Sequence, residues 1–135
     1  MVSFRVGCIM YEIGTASFLH SFFSTVAYRI EKGKWGSKYP VIMNELYQGK
    51  LSCENVPTAK KELEKISKKL EKFSPDMVVW DIEDLSKQPP WGDKISDEIT
   101  SLANYFVTSD GRDFIGVFNM ALDAAIEIKK DVLIQ

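Results

Sequence analysis

The chain has 135 residues, of which 45% are hydrophobic and 27% charged, the balance of one folded domain and far from a disordered composition. A net charge of −2 and a pI near 5.5 remove any general electrostatic attraction to nucleic acid or to an anionic membrane. No apolar run approaches the roughly 20 residues that span a bilayer, and the first ten residues lack the pattern of a secretion signal, so the expected compartment is the cytoplasm.

In chain order, residues 3 to 11 place Phe4, Val6, Cys8 and Met10 on one parity, which predicts a single half-buried strand. Gly14 interrupts it. Thr15 or Ser17 can then cap a helix whose stripe of Phe18, Leu19, Phe22, Phe23, Val26 and Ile30 recurs at helical spacing and which closes at Gly33. A glycine-rich, charged connection carrying Trp35 leads to a second helix from Pro40, capped by Ser37 or Lys38 and stopped by Gly49. A third helix opens at 55–58 and carries Leu63, Ile66, Leu70 and Phe73 inward, with a lysine-rich outer face that reads as solvated.

Met77-Val-Val-Trp80 is short and β-prone and predicts a buried strand. A short helix is expected around Ile95, Ile99 and Leu102, and an extended segment over 105–108. Asp110-Gly111 makes a turn before a last helix, from about Asp113 to Lys130, and Val132 to Ile134 is expected as an edge strand. No repeat or long linker occurs. Together the elements predict one α+β domain over residues 1–135, a small sheet of three to four strands packed with four to five helices.

The chemistry-bearing residues are sparse. His20 is the only histidine and has no nucleophile or ligand at a recognisable spacing, and Cys8 and Cys53 read as reduced, partly buried thiols. No phosphate loop is present, so neither nucleotide nor any other cofactor is expected. The one catalytic alternative is a metal-dependent hydrolase built on Asp81, Glu83 and Asp84, because carboxylates just after a strand can hold Mg²⁺. A third reading is a module that self-associates as a homodimer through the apolar first helix.

A binding role fits the composition better. From Asp81 to Glu98 six acids face two lysines, and the stretch encloses Gln88-Pro-Pro-Trp-Gly92, a stiff loop with a large aromatic at its tip. Acidic charge speeds the encounter with a basic surface, and a rigid tryptophan supplies buried area. The candidate partner-binding residues are therefore Trp35, Asp81, Glu83, Asp84, Trp91 and Asp93, and each tryptophan can either stand exposed or fold back to cap the core. Asp110-Gly-Arg-Asp113 reads as scaffold, with Arg112 left to pair with the Asp81–Asp84 cluster.

Three blocks carry a family resemblance: 36–51 (GSKYPVIMNELYQGKL), 78–92 (VVWDIEDLSKQPPWG) and 105–114 (YFVTSDGRDF). They resemble the immunity protein 70 family of bacterial polymorphic toxin systems. The resemblance implies a cytoplasmic antitoxin without enzymatic activity, one that binds and neutralises the toxic domain of a cognate effector. A basic, nuclease-like domain is the target that the acidic loop would suit.

Overall fold

The alternating N-terminal run folds as two strands, not one. In the computed structural model, which describes residues 1–135, β1 (Val2–Val6) and β2 (Ile9–Gly14) form an antiparallel hairpin turning at Gly7 and Cys8. Gly7 adopts φ +61°, as tight hairpin turns require. Phe4 faces Tyr11 and Val6 faces Ile9 across the pair, so the inward parity changes at the turn. Apolar residues occupy both parities of 8–11 and hide that change from a pattern count. Cys8 and Met10, expected inward, are exposed.

β3 (Lys50–Leu51) is only two residues long, and β4 (Val132–Ile134) lies between it and β1. The sheet order is β2-β1-β4-β3, antiparallel throughout. The C-terminal strand is thus interior, a correction to the expected edge: β3, too short to leave a periodic signal, takes that place. One further amide pair, from Ser3 to Gln135 and back at 2.7 and 2.9 Å, ties the two termini together.

Four helices complete the α+β fold. α1 (Ala16–Thr25) starts where the Thr15 hydroxyl accepts the Phe18 amide at 3.1 Å and runs on as one π-helical turn, Val26–Ile30. α2 (Val56–Leu70) has Pro57 in its first turn. α3 (Phe114–Ile128) is capped by the Asp113 carboxylate, which accepts the Gly116 amide at 3.1 Å. α1 and α3 lie against the inner face of the sheet, and α2 packs on α3. Phe4, Phe22, Phe114 and Phe118 meet at the centre, with the Phe4–Phe118 and Phe22–Phe114 ring centroids 4.9 Å apart. The α1 stripe is not a free surface for self-association, since Phe18, Leu19, Phe22 and Phe23 are all buried in the core of the chain itself.

The remaining helix, between α1 and β3, is a π turn over Val41–Glu45 followed by a 3₁₀ turn over Leu46–Gln48 and ended by Gly49 at φ +113°. Neither Ser37 nor Lys38 caps it. Glu62 reaches across from α2 and accepts the amides of Val41 and Ile42 at 3.3 and 2.8 Å, and Glu31 accepts those of Gly36, Lys38 and Tyr39 at 3.0, 2.9 and 3.1 Å. Both carboxylates are buried, and burial pushes the Glu62 carboxyl above its ordinary value against the pull of its two amides.

Between α2 and α3 the expected elements do not form. Met77–Trp80 is not a strand, 95–102 is not a helix, and the extended segment at 105–108 contributes only one bridge, Val107 to Asp113. The physical reason is side-chain competition for the backbone. Asn104 alone takes the amides of Thr100 and Ser101 and donates to the carbonyl of Glu98, holding 98–104 in a turn.

Candidate functional site

The segment 77–82 is attached to α1 by side chains that stand in for a neighbouring strand. Thr25 Oγ1 accepts the Val79 amide at 3.0 Å and donates to the Val79 carbonyl at 3.1 Å; Ser21 Oγ donates to the same carbonyl at 2.9 Å. Ser24 Oγ accepts the Ile82 amide, and Arg29 Nε donates to the Met77 carbonyl at 2.8 Å. Ser21, Ser24 and Thr25 are fully buried, so these hydroxyls satisfy main-chain groups that water cannot reach. The polar face of α1, between its phenylalanines, exists to hold this segment.

One turn toward the N-terminus of α1, His20 joins three parts of the chain. Its Nδ1 lies 3.1 Å from the Tyr47 hydroxyl and its Nε2 3.3 Å from an Asp81 carboxylate oxygen, whose partner oxygen is 3.6 Å from Lys87 Nζ. Trp35 closes the group: its ring lies against Phe23 and Tyr47, and its indole N–H donates to the Met43 carbonyl at 2.6 Å. Trp35 is therefore half-buried, between the two readings that the sequence leaves open. The amide of Glu83, the His20 hydrogen bond and the charge of Lys87 hold the Asp81 carboxyl below the usual range, while burial and then the charges of Glu83 and Asp81 push the Tyr47 hydroxyl up. A cleft of about 230 Å³ opens between His20, Trp80, Asp81 and Lys87.

Trp91 belongs to a second aromatic group. Its ring meets Trp80 edge-on at 5.4 Å, and its indole N–H donates to the Tyr105 hydroxyl at 2.9 Å, yet 38% of the residue remains exposed. The loop tip is folded back at its nitrogen and open on its ring. Two clefts lie beside it, one of about 220 Å³ walled by Ile95, Ile99 and Val107, the other of about 460 Å³ between the 75–78 turn and the 88–95 loop. Leu85, 55% exposed, stands on the far side of the same segment beside Ile82 and Tyr28.

The acidic residues do not converge. Asp81 accepts the amide of Glu83, and Asp84 accepts the amide and hydroxyl of Ser86, which draw its carboxyl below the usual range. Glu83, Asp84 and Asp93 point to solvent. No three His, Cys, Asp or Glu side chains come close enough to hold a metal ion, which leaves the hydrolase alternative without a geometric basis. Arg112 does not pair with Asp81 or Asp84; its guanidinium donates to the Met120 sulfur at 3.2 Å.

The residues that sequence reasoning missed are His20, Tyr47, Lys87 and Tyr105. His20 and Asp81 are 61 positions apart, so no local spacing joins them. The only available signal was the run of hydroxyls on an otherwise apolar helix, Ser21, Ser24 and Thr25, which calls for polar partners somewhere in the fold.

No helix is long and apolar enough to cross a membrane. Comparison with curated proteins and with solved structures returned no match. The family model described as immunity protein 70 matches residues 4–134, which takes in every strand and helix described above except the first two residues of β1. The aromatic and acidic surface of 75–107 is thus part of a chain that belongs to the immunity protein 70 family.

Proposed function

We propose that this chain is a cytoplasmic antitoxin, one domain over residues 1–135, that neutralises a cognate toxin domain by one-to-one binding and performs no catalysis. The observation that carries this reading is the family match along nearly the whole chain. The surface described above supports the mode of binding. Trp91 and Leu85 expose apolar area beside clefts, and the same stretch of chain carries Asp81, Glu83, Asp84 and Asp93. A partner with a basic face, such as a nuclease-like toxin domain, is favoured in encounter and matched in charge. Trp35 acts from below, positioning Tyr47 and His20 behind Asp81.

Co-expression with the toxin domain encoded beside this gene tests the function: a stable complex and restored growth are expected, and a toxin left active by an equimolar amount of this protein overturns it. The surface is tested separately. Trp91→Ala combined with Glu83→Ala and Asp93→Ala should weaken the complex by about 30-fold or more, the loss of roughly 2 kcal/mol expected at an interface hot spot. Unchanged affinity would relocate the interface.

A further inference from the structure

The larger cleft beside Trp91 has an unusual combination of walls. Val78, Pro89, Ile95 and the Tyr105 ring give it apolar sides, and Asp76 and Asp93 also line it. No cation lines it. Neither acid takes part in an ion pair: the five in the chain involve Asp81, Asp123, Asp131 and Glu64. Asp76 accepts only the Ser74 hydroxyl, and Asp93 has no side-chain hydrogen bond. Two uncompensated carboxylates therefore line an apolar slot that a fixed aromatic ring keeps open, since Tyr105 is held by the Trp91 indole.

We propose that this cleft receives a basic side chain, arginine in particular, presented on a protruding loop of the toxin. The inference rests on the antitoxin reading and reverses the geometry that the loop sequence suggests: Trp91 holds Tyr105, a wall of the socket, and the toxin supplies the knob. Charge complementarity selects the occupant. An apolar knob seated in the cleft would strip water from two carboxylates and give them no counter-charge, which is unfavourable. An acidic segment or nucleic acid would meet like charge. A guanidinium brings the counter-charge that both carboxylates lack, and its stem and face pack on the apolar walls and the tyrosine ring. The volume of about 460 Å³ lies within the range of ligand pockets, about 300–1,000 Å³, so the neighbouring residues of such a loop fit with it.

The probe is the capped peptide acetyl-Gly-Arg-Arg-Gly-amide, titrated to millimolar concentration into the ¹⁵N-labelled protein, with the citrulline peptide as neutral control. Amide shifts are expected at Asp76, Val78, Asp93, Ile95 and Tyr105. The citrulline peptide should bind about tenfold more weakly or worse, as expected for losing a charge-assisted hydrogen bond. The double variant Asp76→Asn, Asp93→Asn alters only exposed side chains, so its spectrum will report a folded protein, and it should abolish the localised shifts. Shifts that survive in that variant, shifts spread evenly over distant acids such as Glu54, Glu71 and Glu127, or no shifts at all would overturn the proposal. Its failure is distinguishable from failure of the antitoxin reading: a protein that holds its toxin but ignores the arginine peptide loses only the socket, and one that captures the peptide but leaves the toxin active loses the function.

Discussion

Two regions of this molecule are ordered by different means. The sheet, α2 and α3 are held by main-chain ladders around a core of interlocked phenylalanines. The segment from 75 to 112, longer than α2 and α3 together, has one short 3₁₀ turn and one isolated bridge and takes its shape from side chains: the hydroxyls of α1, the Asn104 amide and the Trp91–Tyr105 bond. Burial of apolar area is non-directional and spreads stability over the whole core. A side-chain hydrogen bond is local, so it fixes a shape without demanding a regular one.

The sharpest way to break this contrast is at the centre of the core. Phe22 is fully buried and meets Phe106, Phe114 and Phe118. Phe22→Ala should cost about 3–5 kcal/mol, visible as a drop in the urea midpoint shared by every probe, because both regions rest on the same cluster. Thr25→Val acts on one region only. It preserves shape but leaves the Val79 amide without its acceptor, at a cost of about 1–3 kcal/mol. Hydrogen exchange should accelerate at 77–82 while the amides of α3 keep their protection; equal acceleration in both would show that the regions unfold as one unit.

The smallest effect belongs to the outer end of the same attachment. The Asp81 carboxyl is held below the ordinary carboxylate value of about 3.9 by the Glu83 amide, His20 and Lys87. A depressed folded value means that the stabilisation is present above the unfolded value and is lost as pH falls through the folded one. Thermal midpoints of wild type and Asp81→Asn should therefore differ near neutrality and converge on acidification below about pH 4. A difference that persists in acid would assign the contribution of Asp81 to shape alone.

The same division decided what could be read from the sequence. The helices that feed the core announce themselves by spacing: Leu63, Ile66 and Leu70 in α2, Phe114, Val117, Phe118 and Ala121 in α3, with Thr15 and Asp113 at the expected caps. The hairpin at Gly7 was hidden because one uninterrupted alternation conceals a change of parity. β3 was hidden by its length, which also displaced β4 from the edge. At 77–80, branched apolar residues were the right signal for a segment packed on the core, with Val79 buried, and the wrong one for a sheet, since its hydrogen-bond partners are hydroxyls on a helix. In the candidate site the acidic composition and Trp91 were legible, but the contacts that place them, His20 with Asp81 and Trp91 with Tyr105, depend on the fold bringing distant residues together.

The grip of α1 on the segment that follows α2 has an evolutionary corollary. Thr25, Ser21, Ser24 and Arg29 hold amides and carbonyls, the atoms that nearly every amino acid possesses in the same place. Of the side chains from Met77 to Ile82 only that of Asp81 joins the polar attachment, through His20, while Val79 is buried and Met77, Val78, Trp80 and Ile82 pack against the core. The exposed residues that follow, Glu83 to Gln88, can thus change while the mounting stays untouched, and what that freedom requires is a few buried hydroxyls on one helix.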